Sequence, residues 1–76
     1  MTSAELICAI GVALFGSCYQ HDLAEALGVN RRTVSRWSLG QDEPRPGVWL
    51  DLLGIMWERR RELGTLIRTV EQHGLG

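Results

Sequence analysis

The chain has 76 residues, 45% of them apolar, and a formal net charge of −1. A domain this short buries only about 60% of its unfolded surface, so association with a second copy is a natural route to added stability. The apolar fraction excludes intrinsic disorder, and the near-neutral charge sets the chain apart from strongly basic nucleic-acid binders.

The first predicted element is a helix from Thr2 or Ser3 to about Phe15. Thr2 and Glu5 have capping-box spacing, and Gly16 is a natural stop. Leu6, Ile7, Ile10, Ala13 and Leu14 supply its buried stripe. Cys8, Val12 and Phe15 make it apolar most of the way round, which implies burial on more than one side. Ser17 and Gln20 form a second capping pair, opening a helix over about Cys18–Leu27. Asn30 caps a third helix, Arg31 to about Leu39, which ends at Gly40. Gly40–Gly47 holds both prolines and two glycines and reads as a loop.

From Val48 to about His73 the helical pattern returns. Trp49, Leu52, Leu53 and Met56 mark one stripe, and Leu63, Leu66, Ile67 and Val70 repeat it fourteen residues on. Two readings compete: one long helix, or two helices broken near Glu62–Gly64, where glycine weakens continuity. The heptad-like seam favours the single helix, with its C-terminal half, Leu63, Leu66, Ile67 and Val70, pairing with a second chain. The charged middle, Glu58 to Glu62 with Arg59, Arg60 and Arg61, reads as a solvated face. Trp49 is a core candidate and Trp57 an interface or half-exposed cover.

The segment Gln20–Trp37, QHDLAEALGVNRRTVSRW, has the spacing of a helix-turn-helix. Two helices crossing at roughly 90–120° leave no room for a large side chain, which suits Ala24. Gly28 takes the positive φ that swings the chain out of the second helix. Val34 and Trp37 share one face of the third helix and pack it back on Leu23, Ala24 and Leu27. The other sides then carry Arg31, Arg32, Thr33, Ser35 and Arg36. All eight basic residues are arginine, and no acid lies between Glu25 and Asp42. A positive face on a near-neutral body is a usable electrostatic footprint.

The chemistry of that face points to duplex DNA. A recognition helix presents its N-terminal residues to base edges in the major groove, where a guanidinium fork matches guanine O6 and N7. Arg31 and Arg32 occupy those positions, and Arg36 lies one turn further on. Thr33 and Ser35 reach a base or a phosphate. Gln20 points an amide and a helix N-terminus at the backbone, and Arg45 in the following loop is a backbone clamp.

Catalysis has little support. His21 and His73 stand outside any triad or metal spacing, and neighbours such as His21 and Asp22 diverge on a helix. No phosphate-binding loop or nucleophile elbow is present, so no cofactor, metal or small-molecule ligand is expected. Cys8 and Cys18 form no metal set and read as buried free thiols. The apolar run Leu6–Phe15 is too short for the roughly 20 residues a membrane span needs, and no basic segment precedes it. The expected location is the cytoplasm, on the nucleoid when DNA is bound.

On the wording QxxxA, LGV, RRTV and RW, the chain resembles the Cro/lambda-repressor-like helix-turn-helix family over roughly residues 4–57. That resemblance implies a small all-α bundle of four to five helices binding palindromic operators as a homodimer, as phage or bacterial regulators do. It assigns contacts to Gln20, Asn30, Arg31, Arg32, Thr33, Ser35 and Arg36. Gly16–Tyr19 is longer than the common form, and the seam over Glu58–Gln72 exceeds a minimal domain. The expectation is one domain over 1–76, a helix-turn-helix over about 18–39 and a dimerisation segment over about 47–73. Function follows as a sequence-specific transcriptional regulator, a repressor or autoregulator. The alternative is a protein-interaction module, an adaptor or antitoxin-like co-regulator, acting through the C-terminal apolar helix.

Overall fold

A computed structural model describes residues 1–75. The chain is all α: α1 (Ser3–Phe15), α2 (Gln20–Leu27), α3 (Arg31–Ser38) and α4 (Pro46–Val70), followed by a π-helical turn (Glu71–Leu75). The four helices match the expected bundle, and α4 is the single long helix rather than two. No helix among the described residues is long and apolar enough to cross a membrane.

Local chemistry sets the helix ends. The Glu5 N–H donates to Thr2 Oγ1 at 3.1 Å while the Thr2 N–H donates to Glu5 Oε1 at 2.9 Å, closing the capping box. Those bonds hold the Glu5 carboxyl below its ordinary range. Gly16, at φ 87°, ends α1. Pro46 opens α4, where its fixed φ suits a helix and its missing N–H costs nothing.

The second capping pair does not form. Helix α2 starts at Gln20, not Cys18, and its N-cap is Tyr19, in the αR region with no side-chain cap. Ser17 and Cys18 lie in an exposed turn, so Cys18 is not a buried thiol, while Cys8 is half-buried. The cause is Tyr19 itself, which is 4% exposed and whose ring lies directly against Gly11 in α1. Docking that ring fixes the chain before α2 and leaves the preceding turn facing water.

The core comprises Ile7, Ile10, Tyr19, Leu23, Ala24, Val34, Trp37 and Leu52. The buried face of α1 is therefore Ile7, Ile10 and Gly11, whereas Leu6 and Ala13, expected in the stripe, are exposed. Ala24, Val34 and Trp37 occupy their expected buried places, and Trp49 and Met56 pack on the edge of the core.

A polar knot ties three helices beside this core. Ser38 Oγ donates to the Val34 carbonyl at 3.1 Å and accepts from the Tyr19 O–H at 2.7 Å. The same O–H is shared with Cys8 Sγ at 3.2 Å. Burial, then the contact with Cys8, pushes the phenol above its ordinary 10.0, so it stays protonated as a donor.

Only Leu52 of α4 is fully buried. Near the end of α1, Arg59 donates to the Leu14 carbonyl at 3.0 Å and lies 5.7 Å from the Phe15 ring centroid. Beyond that tie, α4 runs free of the bundle. The molecule is 50 Å long and 24 × 23 Å across, with a radius of gyration of 14.8 Å. A globule of this length would have about 11 Å.

The Gly11–Tyr19 contact is testable. Replacing Gly11 with Ala drives a methyl into the Tyr19 ring, and overpacking of this kind costs about 1–3 kcal/mol, more than the helix-propensity gain of up to about 1 kcal/mol. Gly54 faces open space, so Gly54→Ala keeps the gain alone. Thermal melts should show a lower Tm for Gly11→Ala and an equal or higher one for Gly54→Ala. A Gly11→Ala variant as stable as the parent would show that the ring is not seated there.

Candidate nucleic-acid interface

The candidate surface is built on α2, α3 and the three residues between them. Gly28 has φ 68° and ψ 31°. Its N–H donates to the Glu25 carbonyl at 3.2 Å, and the Val29 N–H donates to the Ala24 carbonyl at 2.9 Å. This paired closure is the Schellman arrangement, which needs a left-handed residue after the helix. Asn30 then starts α3, its Oδ1 accepting from the Arg32 N–H at 2.9 Å. The far end closes the same way: Gly40, at φ 73°, donates to the Trp37 carbonyl and Gln41 to that of Arg36. Both ends of α3 are fixed by hydrogen bonds within the twelve residues Asn30–Gln41.

Burial of Val34 and Trp37 on one side of α3 decides what the other side shows. Arg31, Arg32 and Arg36 are exposed, while Thr33 and Ser35 are half-buried. Arg32 and Arg36 stand four apart and share the outward face, and Arg31 shares its strip with Ser35. Among the described residues the ion pairs are His21–Glu25 and Glu58–Arg61, so no carboxylate neutralises the three guanidinium groups of α3. No acid stands in the first turn of α3 either. Two arginines sit instead at the positive end of the helix dipole, where cations are disfavoured.

The remaining predicted contacts are more scattered. Gln20 is half-buried at the first position of α2. Arg45 is the exposed N-cap of α4 and shares an open cleft of about 440 Å³ with Thr33, Trp37, Asp42 and Glu43. The structure thus brings Arg45 beside α3, together with two acids that temper its charge. Leu63, Leu66, Ile67 and Val70 lie on the free part of α4, each at least half exposed.

His21 and Asp22 do not diverge as neighbours on a helix are expected to. His21 Nε2 lies 3.1 Å from Glu25 one turn on, and a ligand atom of Asp22 falls within 4.8 Å of both. All three are exposed, and the His21–Glu25 contact is an ordinary one-turn surface pairing of small energetic weight. Sequence reasoning missed Arg59, read as solvated charge, and the Cys8–Tyr19–Ser38 knot that anchors the end of α3. A mid-helix glycine, unfavourable without a packing reason, was the one available signal.

No family model, curated protein or solved structure matches the chain. The functional reading therefore stands on the geometry and chemistry of this surface.

The cap at Asn30 gives a direct check on how α3 is held. Asn30→Ala removes the acceptor and should lower stability by about 1 kcal/mol, whereas Asn30→Asp keeps it and should remain within a few tenths. Urea unfolding followed by circular dichroism measures both. Equal losses in the two variants would show that the side-chain oxygen does not cap the helix.

Proposed function

We propose that this protein is a sequence-specific double-stranded DNA-binding transcriptional regulator that reads the major groove with α3. The observation that carries the proposal is the exposed, unneutralised row Arg31, Arg32 and Arg36 on a short helix capped at both ends. An α-helix fits the major groove, and a bidentate arginine–guanine contact discriminates by about 1–3 kcal/mol. Arg31 and Arg32 meet base edges, and Arg36 extends the contact by one turn. Ser35 and Thr33 reach a base or phosphate, and Asn30, Gln20 and Arg45 hold the backbone. In this reading two copies bind a palindromic operator as a homodimer, each filling one of two successive grooves, about 34 Å apart. The protein acts as a repressor or autoregulator by occupying a promoter, without cofactor or catalysis.

A second reading is favoured by the apolar stripe of Leu63, Leu66, Ile67 and Val70. A protein-interaction module would use that stripe, and its α3 would need no nucleic acid.

Selection of bound fragments from random duplexes, followed by gel-shift titration, tests the proposal. Arg31→Ala and Arg32→Ala should each weaken the selected site by about 1–3 kcal/mol while leaving the fold intact. Binding should also weaken steeply with salt as phosphate counterions are released. Unchanged affinity in both variants, or no selected site, overturns it. An association insensitive to salt and located on α4 supports the second reading.

A further inference from the structure

The apolar stripe on the distal half of α4 continues the face that seats α4 on its own core. Leu52 is buried, Met56 packs on the core, and Arg59 is tied to the end of α1. Leu63, Leu66 and Val70 follow at the alternating three- and four-residue spacing that keeps one side of a helix. The bundle stops at Arg59, but the stripe does not. Where they part, Leu14 of α1 and Met56, Leu63, Gly64 and Ile67 of α4 line an open apolar groove of about 470 Å³. Gly64 has no heavy atom of another element within 4 Å of where its Cβ would stand, so a second helix has room for close approach.

We propose that this groove and stripe receive the distal half of α4 from a second copy of the chain, running antiparallel. The proposal deepens the homodimer in the functional reading above by giving it a surface and an orientation. Two observations fix that orientation.

The first is steric. The stripe and the α1–α3 body lie on the same side of α4, so a parallel partner would bring its own body into the space that the first body fills. An antiparallel partner sends its body to the opposite end and leaves each stripe open to the other. Maximal overlap puts the two-fold axis at the middle of the stripe, between Leu66 and Ile67. Leu63 then meets Val70 of the second copy, and Leu66 meets Ile67 of the second copy.

The second observation is charge. Of the three consecutive arginines, Arg59 is bound to α1, and Arg61 is paired with Glu58 at 3.1 Å. Arg60 stacks on Trp57, 5.0 Å from the ring centroid, with no carboxylate in ion-pair reach among the described residues. Glu71 is exposed and equally free of an intrachain ion pair. At about 100° per residue, Arg60 and Glu71 lie on the same flank of the stripe. In the antiparallel pairing, Arg60 of each copy stands within about 3 Å, measured along the axis, of Glu71 of the other. A parallel pairing leaves Arg60 of one copy about 16 Å, measured along the axis, from Glu71 of the other, so neither charge meets its partner. The pairing therefore has an apolar centre and two symmetric ion pairs at its rim.

Sedimentation equilibrium on the full chain, across a dilution series, tests the pairing through a charge-reversal cycle. Arg60→Glu and Glu71→Arg each turn two attractive contacts into repulsive ones and should weaken the dimer about tenfold. The double variant restores both pairs with their signs exchanged and should return to within about threefold of the parent. Both positions are exposed, and circular dichroism melts establish that each variant folds. A parent that stays monomeric at high concentration overturns the proposal. So do single variants that leave the dimer unchanged, or a double variant showing their summed loss. A dimer with the expected rescue that shifts no duplex removes the DNA reading and leaves the α4 pairing standing.

Discussion

The arrangement of the bundle depends on the Tyr19 ring lying on Gly11. A flat aromatic side chain reaches a backbone only where no Cβ intervenes, so this contact brings the start of α2 against the middle of α1. The phenol oxygen then meets Ser38 and Cys8, which registers the end of α3 against the same pair of helices. One residue thereby sets the mutual positions of three helices. The connector between α2 and α3 is short and capped at both junctions, so the angle at which α3 is presented follows from that registration. A shift of the ring would carry the arginines of α3 with it.

The arginine face is also where local preferences conflict. Helix ends favour acids in the first turn, and α1 and α2 obey, with Glu5 and Asp22. The first turn of α3 has Arg31 and Arg32 instead. Unmatched charge at a dipole end lowers intrinsic helix stability, and an external anion removes the mismatch. The first turn of α4 also lacks an acid, but only α3 places two arginines there, a local conflict of the kind expected where a surface serves binding.

Much of the fold was legible because its signals are short in range. Ala24, Gly28, Val34 and Trp37 each answer a demand set within a few residues, and all four stand where the spacing placed them. The seam from Trp49 to Val70 correctly predicted one long helix despite two glycines, because stripe continuity outweighed local propensity. The failures arose from contacts distant in sequence. The uniformly apolar α1 gave no hint which side faced inward, so Leu6 and Ala13 were placed in the core and Gly11 was not. Ser17 had the right spacing to cap α2, but the docking of the Tyr19 ring on Gly11, in a different helix, decided where that helix begins. The candidate site was legible as a set of residue types; the cleft that brings Arg45 to Thr33 and Trp37 of α3 was not, since a proline-rich loop has no periodicity to place it.

The free run of α4 past Arg59 divides the molecule into regions of unequal protection. The hydrogen-bonded amides of α1–α3 are protected by the core those helices share. Those beyond Arg59 in a lone copy lean on nothing but their own helix, and isolated helices of this length fray readily in water. Hydrogen exchange along the backbone should therefore be graded, with its step at the Arg59–Leu14 tie rather than at either end of α4.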